Sequence, residues 1–250
     1  MGHFNSFTGI NGKFDLLLFI RLLFINNIAF YSILYMMTQY NGQIHQDKFV
    51  LNVLNHKMNG FFLEIGSNHP ININNSYLLE TQYQWRGIMV EYESKYLDLY
   101  RLHRPNSIHV INDATQIDYL ALFQSNNVPM DIDYLQIDLE VNNRSTIDTL
   151  KKLDLQVMDQ YKFASVTFEH DVYQGNYFDT RKISREIFTK RGYVCVLQDI
   201  NNDNSPYEDW WVHPDLVDMD YIYDLISKNL KNYYDHPTTQ KSINWKTIEY

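Results

Sequence analysis

The chain has 250 residues, with 21 Lys and Arg against 30 Asp and Glu, for a formal net charge of −9. That length suits one α/β domain with extensions, and 45% hydrophobic residues supply a full core, which excludes a disordered or fibrous chain. The acidic balance excludes a general polyanion-binding surface, so no nucleic-acid partner is expected. The single cysteine, Cys195, excludes an internal disulfide and a multi-thiolate metal site, and fits a reducing, cytoplasmic compartment.

Residues 1–45 differ from the rest. Leu16–Met37 is almost continuously apolar and as long as a membrane-spanning helix. Its Leu, Ile and Phe residues favour insertion by about 4–8 kcal/mol, of which Arg21 returns about 2.5–3.5 kcal/mol, and Asn26 and Asn27 return more. The polar side chains scatter around a helical wheel without forming a face. A helical extension packed on the domain is therefore the expectation. Peripheral membrane association through residues 14–37 is the alternative, and Met1–Ser6 matches the short myristoylation pattern. A secretory signal is not expected, because the charged start and the small-residue cleavage site are missing.

Regular alternation begins at residue 46. Gly60–Ile65 is a short apolar run closed by Gly66, which reads as a buried strand and tight turn. Gly87–Glu91, Ser107–Ile111, Asp133–Asp138 and Ala164–Glu169 repeat the form. Between them, helices are expected over Asn75–Gln84, Ser94–His103, Thr115–Ser125, Ser145–Tyr161 and Thr180–Arg191, the last stopped by Gly192. Tyr193–Gln198 and Asp209–His213 form a closing strand pair. Strand alternation in that pair sets Trp210 and Val212 on one face, and Trp211 and His213 on the other. The pattern predicts a mainly parallel, seven-stranded sheet with helices on both faces and an antiparallel closing strand. The domain is expected over 46–220, with a C-terminal helix (Tyr221–Leu230) and a tail completing 221–250.

In such a sheet the ligand lies beyond the carboxyl ends of the strands. The five strands end at Glu64, Glu91, Asp113, Asp138 and Glu169, at intervals of 22 to 31 residues. One acid at a strand end is commonly a helix cap, but five in series describe a functional mouth. Glu91 follows Gly66 by 25 residues, near the ~20-residue offset at which an acid meets ribose hydroxyls. The turn Gly66-Ser67-Asn68-His69-Pro70 has one glycine and no nearby lysine, which disfavours a pyrophosphate and ATP hydrolysis. An adenosine cofactor without phosphate, S-adenosylmethionine, suits the acid-rich mouth, which would also accommodate its sulfonium cation.

The segments GFFLEIGSN, WRGIMVEYE, VINDA, DYLQIDLE, FASVTFEHD and RGY together resemble the FkbM family of S-adenosylmethionine-dependent methyltransferases, over about residues 45–215. The resemblance implies a class I methyltransferase (Rossmann-like) fold and methylation of hydroxyls on sugars of glycans or natural products. It implies that Glu64, Gly66 and Ser67 line the methionine end of the cofactor. It likewise sets Glu91 on the ribose, and Asp113 with Ala114 beside the adenine. Asn68, Tyr92 and Asp138 complete the expected cofactor set. Two positions depart from the pattern: Val141 follows the Asp-x-Glu of the fourth strand where many members have Gly, and Asn68 replaces a second glycine.

A sugar hydroxyl is a weak acid, so its methylation needs a base, a metal or both. Asp138, Glu169 and His170 end neighbouring strands, and two carboxylates with an imidazole can hold Mg²⁺ or Mn²⁺. Asp138 and His170 are the expected catalytic pair; for His170, general base, metal ligand and structural residue all remain open. For a small-molecule or glycan acceptor, the candidate contacts are Asn142, Arg144, Tyr173, Asp209 and His213. Two other classes compete: a methyltransferase for protein or nucleic acid, and a non-catalytic cofactor-fold binding protein.

Overall fold

The computed structural model describes residues 39–202 and 205–234. The apolar stretch 14–37 and the tail beyond 234 lie outside them, and with them the membrane and myristoylation readings. No helix among the described residues is long and apolar enough to cross a membrane.

From the amino end, α1 (Gln46–Val53) leads into β1 (Phe61–Ile65), α2 (Tyr77–Tyr83), β2 (Arg86–Glu91), α3 (Leu97–His103) and β3 (Ile108–Ile111). Next come α4 (Tyr119–Ser125), β4 (Asp131–Ile137), α5 (Ser145–Gln156), β5 (Lys162–Glu169) and α6 (Thr180–Lys190). A hairpin, β6 (Val194–Asn202) with β7 (Ser205–Val212), precedes α7 (Met219–Tyr234). The strands form one sheet in the order β3-β2-β1-β4-β5-β7-β6. The pairs among β1 to β5 are parallel, and β7 runs antiparallel between β5 and β6.

The sheet separates two apolar layers. Tyr119 and Phe123 of α4, Ile147, Leu150 and Leu153 of α5, and Phe188 of α6 pack on one face with Leu63, Ile65, Val90 and Trp211. On the other, α1, α2, α3 and α7 bring Phe49, Leu78, Leu79, Tyr100 and Ile222 against Phe62, Met89, Trp210 and Val212. Consecutive residues of β7 thus go to opposite layers, as strand alternation requires.

Several helix ends differ from the sequence expectation, and three of them have a clear local reason. Asp113 caps a short 3₁₀ turn at Ala114–Gln116, Ile117 is extended, and Asp118 then caps α4, accepting from Ala121 N–H at 3.0 Å. The helix expected over Thr115–Ser125 is therefore split. Val157 leaves helical geometry (φ −129°), so α5 stops at Gln156 and not at Tyr161. Asp218 accepts from Tyr221 N–H at 3.0 Å, starting α7 two residues early. Helix α1, a short segment with little pattern of its own, is buried along its whole length.

Candidate active site

A cavity of about 1070 Å³ opens at the carboxyl ends of β1 to β5. Its floor is set by backbone geometry at Gly66 (φ +87°), whose N–H donates to Val90 O at 2.9 Å, while Asp138 N–H donates to Ile65 O at 3.0 Å. A Cβ at Gly66 would overlap the Asp138 carbonyl oxygen, so the turn after β1 can lie against the end of β4 only with glycine there. The next turn position, Asn68, is also left-handed (φ 48°), a conformation that asparagine tolerates better than most residues. A second glycine is therefore not required.

Buried polar groups hold the rim. Glu91 accepts from Asn68 N–H at 2.7 Å with one oxygen and from Glu93 N–H at 2.8 Å with the other. Tyr100 O–H donates to Asn68 O from below. One oxygen of Glu64 accepts from Ser76 Oγ at 2.8 Å and Asn74 Nδ2 at 3.1 Å. Behind them Arg104, fully buried, donates to Ser76 Oγ at 2.7 Å, Asn74 Oδ1 at 2.7 Å and Glu80 Oε2 at 2.8 Å. Burial pushes the Glu64 carboxyl up, against the opposing charge of Arg104 and the hydrogen bonds of Ser76 and Asn74. Asp113 accepts from Thr115 N–H at 2.8 Å, so it caps a turn as well as lining the cavity.

Of the expected cofactor residues, Glu64, Gly66, Ser67, Asn68, Glu91, Tyr92, Asp113, Ala114 and Asp138 all line this one cavity. Glu169 lines it too, joined by Asp171, which the sequence reading left out of the site. Burial and the charges of Asp138 and Asp171 hold the Glu169 carboxyl well above its usual range. Asp171 is also raised, by burial and the charges of Asp138 and Glu140, although Glu169 and His170 pull it down.

His170 is not brought to Asp138 and Glu169. It follows Glu169 directly and turns away from the cavity, with Nε2 at 3.5 Å from Asp209 Oδ1 and 3.6 Å from Asp199 Oδ1. There Arg185 grips Asp209 with two hydrogen bonds, at 2.7 and 2.9 Å, and Arg181 reaches Asp199 at 2.8 Å. Although burial opposes it, Arg185 and His170 bring the Asp209 carboxyl down to about 2. Among the described residues, only His170, Asp199 and Asp209 approach closely enough to surround an ion. Their carboxylates already carry two guanidinium groups, which leaves no net charge for a cation. Asp138, Glu169 and Asp171 do not close to that spacing. The expected Asp138–Glu169–His170 metal set is thus not assembled, because His170 lies with Asp199 and Asp209 instead.

The expected acceptor contacts also fall elsewhere. Asp209 is fully buried in its ion pairs, and His213 is buried against the Tyr193 ring. Arg144 pairs with Asp148 at 3.1 Å and lies 4.8 Å from the Phe178 ring centre. Asn142 and Tyr173 are exposed outside the cavity wall, whereas their neighbours Asn143 and Gln174 line it. Gln136, also missed, lines the cavity two residues before Asp138 and in register with Glu64. Strand alternation alone places Gln136 on the face of Asp138, and that was the available signal.

The strand order with its antiparallel seventh strand, and a cavity at the carboxyl edge, define the class I methyltransferase fold, as expected. No family model and no curated protein matches the chain. Among solved structures it is similar to the O-methyltransferase from Bacillus cereus in complex with SAH, at 14% identity over 75% of this chain and 89% of that one (TM-score 0.49). It is also similar to a TehB-like SAM-dependent methyltransferase from Corynebacterium glutamicum, at 9% identity over 75% and 96% (TM-score 0.45). A Pyrococcus horikoshii protein assigned as an RNA methyltransferase gives 10% identity over 68% and 81% (TM-score 0.46). At these identities the likeness is one of fold.

Proposed function

We propose that the chain is an S-adenosylmethionine-dependent O-methyltransferase of FkbM type that methylates a hydroxyl of a sugar or glycan. One observation carries the reading: a single cavity gathers the Gly66 turn and the acids that end all five parallel strands. Glu91 stands where ribose hydroxyls bind in nucleotide folds, and the acids complement a sulfonium. In the reaction the acceptor oxygen forms a bond to the methyl carbon as the carbon–sulfur bond breaks. The electron pair of that bond stays on sulfur, and the hydroxyl proton passes to a carboxylate. Asp138, on the cavity wall where β4 ends, takes that role. In this reading the proton is removed without a Mg²⁺ or Mn²⁺ step, since His170, the third ligand the sequence offered, faces Asp199 and Asp209 instead.

Eight carboxylates line the cavity and, among the described residues, no lysine or arginine does. That charge disfavours the alternative of a nucleic-acid acceptor. The test is calorimetric titration with S-adenosylmethionine, followed by methyl transfer to a panel of free sugars and glycans, with Mn²⁺ or with chelator. Micromolar binding and chelator-insensitive transfer are expected. No binding at millimolar cofactor leaves the non-catalytic reading; transfer abolished by chelator defeats the metal-free step.

A further inference from the structure

The loop that follows β1 is the part of the cavity wall without acids. Residues 66–76 contain no Asp or Glu, and His69, Asn72 and Asn75 of this loop line the cavity together with Gln43. A cofactor with an amino-acid end brings a carboxylate, which needs hydrogen-bond donors, and among the described residues no lysine or arginine lines the cavity. The backbone of the turn has few donors left to give. The N–H groups of Gly66 and Ser67 donate to Val90 O at 2.9 and 3.1 Å, and that of Asn68 donates to Glu91 at 2.7 Å. Those of Ile71 and Asn72 donate to His69 Nδ1 at 3.1 and 3.0 Å, and Pro70 has none. The Ser67 hydroxyl is turned to Glu64 O at 3.1 Å and Val90 O at 3.3 Å.

The imidazole of His69 supplies what the backbone lacks. Two N–H donors on Nδ1 fix the tautomer, because a protonated ring nitrogen cannot accept; the proton of the neutral ring is on Nε2. A flipped ring would set a carbon against the same two donors. Nε2, on the far edge of the ring, is accessible and has no acceptor among the described residues. The ring is half-buried and meets Tyr96, another residue of the cavity wall, edge-on with 6.3 Å between centroids. The loop's own backbone thus holds the ring, so the Nε2–H is oriented before a ligand arrives.

We propose that His69 binds the carboxylate at the amino-acid end of the cofactor, donating to it from Nε2. A lysine or arginine at this point would pair with the eight carboxylates of the wall; a neutral N–H, tied to its own loop, stays available to the ligand. The inference rests on the cofactor reading above and adds to it a binding residue that neither the strand ends nor the glycine turn indicated.

The test needs no knowledge of the acceptor. S-adenosylmethionine and its decarboxylated form differ only in that carboxylate, so the ratio of their affinities isolates it. Both are titrated calorimetrically into the wild-type chain and into His69→Asn and His69→Gln. Asn presents an acceptor at the position of Nδ1 and keeps the turn, but no donor at the reach of Nε2; Gln reaches that position with an N–H. His69→Asn is expected to weaken S-adenosylmethionine about tenfold or more relative to the decarboxylated form, the worth of one hydrogen bond to a charged group. His69→Gln is expected to keep most of the wild-type ratio. An unchanged ratio in His69→Asn would overturn the proposal. So would a ring proton found on Nδ1 by nitrogen NMR of His69 in the wild type. If neither form binds the wild-type chain, the cofactor reading itself falls.

Discussion

Replacing Arg104 by Met removes a cation from the interior while leaving its partners there. The guanidinium is fully buried and reaches Glu80 Oε2, Asn74 Oδ1 and Ser76 Oγ at 2.7–2.8 Å, with a longer bond to Pro70 O at 3.3 Å. After substitution Glu80 keeps only Asn106 N–H at 2.9 Å and Ser107 Oγ at 2.5 Å against a buried negative charge. Breaking one side of such a pair costs about 3–5 kcal/mol, a large share of the ~5–15 kcal/mol that holds a domain together. Urea unfolding followed by circular dichroism reads the loss directly. Arg104→Met with Glu80→Gln is expected to recover at least about 1 kcal/mol of it, since the uncompensated charge goes too. Ser76 and Asn74 also orient Glu64, so the single variant should bind S-adenosylmethionine more weakly. A loss under about 1 kcal/mol, or a double variant whose cost is the plain sum of its parts, would refute this account.

Asp138→Asn should lower methyl transfer by about 10²–10⁴ while cofactor binding persists, as loss of a general base does; His170→Gln should stay within a few-fold, and parallel kcat and calorimetric measurements tell the two apart. Gly66→Ala should destabilise the fold by at least about 1–2 kcal/mol, the left-handed penalty alone, and weaken the cofactor further as the turn leaves the end of β4; chemical denaturation and titration read both. Buried Glu208 has its carboxyl pushed up to about 8, first by burial and then by the charge of Asp138. It is therefore protonated when folded and ionised when unfolded between its ordinary value of 4.5 and about 8. That contribution is complete below the ordinary value and is lost as pH rises through the folded one, at up to about 1.4 kcal/mol per unit. Asp47, up to about 7 by burial, adds in the same direction. Melting temperatures at pH 5, 6.5 and 8 should fall in that order, and Glu208→Gln should flatten the slope.

Much of this was legible in the chain because strands and their ends obey a local rule. The apolar runs at 60–65, 87–91, 133–138 and 164–169 each closed on an acid or a glycine, and parallel pairing carried those ends to one edge. What the rule did not reach was the direction of residues just beyond a strand. His170 follows Glu169 immediately, yet Asp171 returns to the cavity and His170 turns to Arg185's carboxylates. The ladder Arg104–Ser76–Glu64 joins residues 28 and 12 apart in the chain, and no short motif announces it.

The sequence alone determined the alternation of strand and helix, the two faces of the β7 tryptophans and the gathering of acids at one mouth. These follow from periodicity and chain order, which are local properties. Only the tertiary structure decided which acids share a cavity and which are neutralised by arginines. It alone showed that the backbone donors of the Gly66 turn are taken and that the His69 ring proton is not. Burial and partnership depend on the elements packed around a residue, and for Asp209 and the Gly66 turn those elements lie on other strands and helices of the fold.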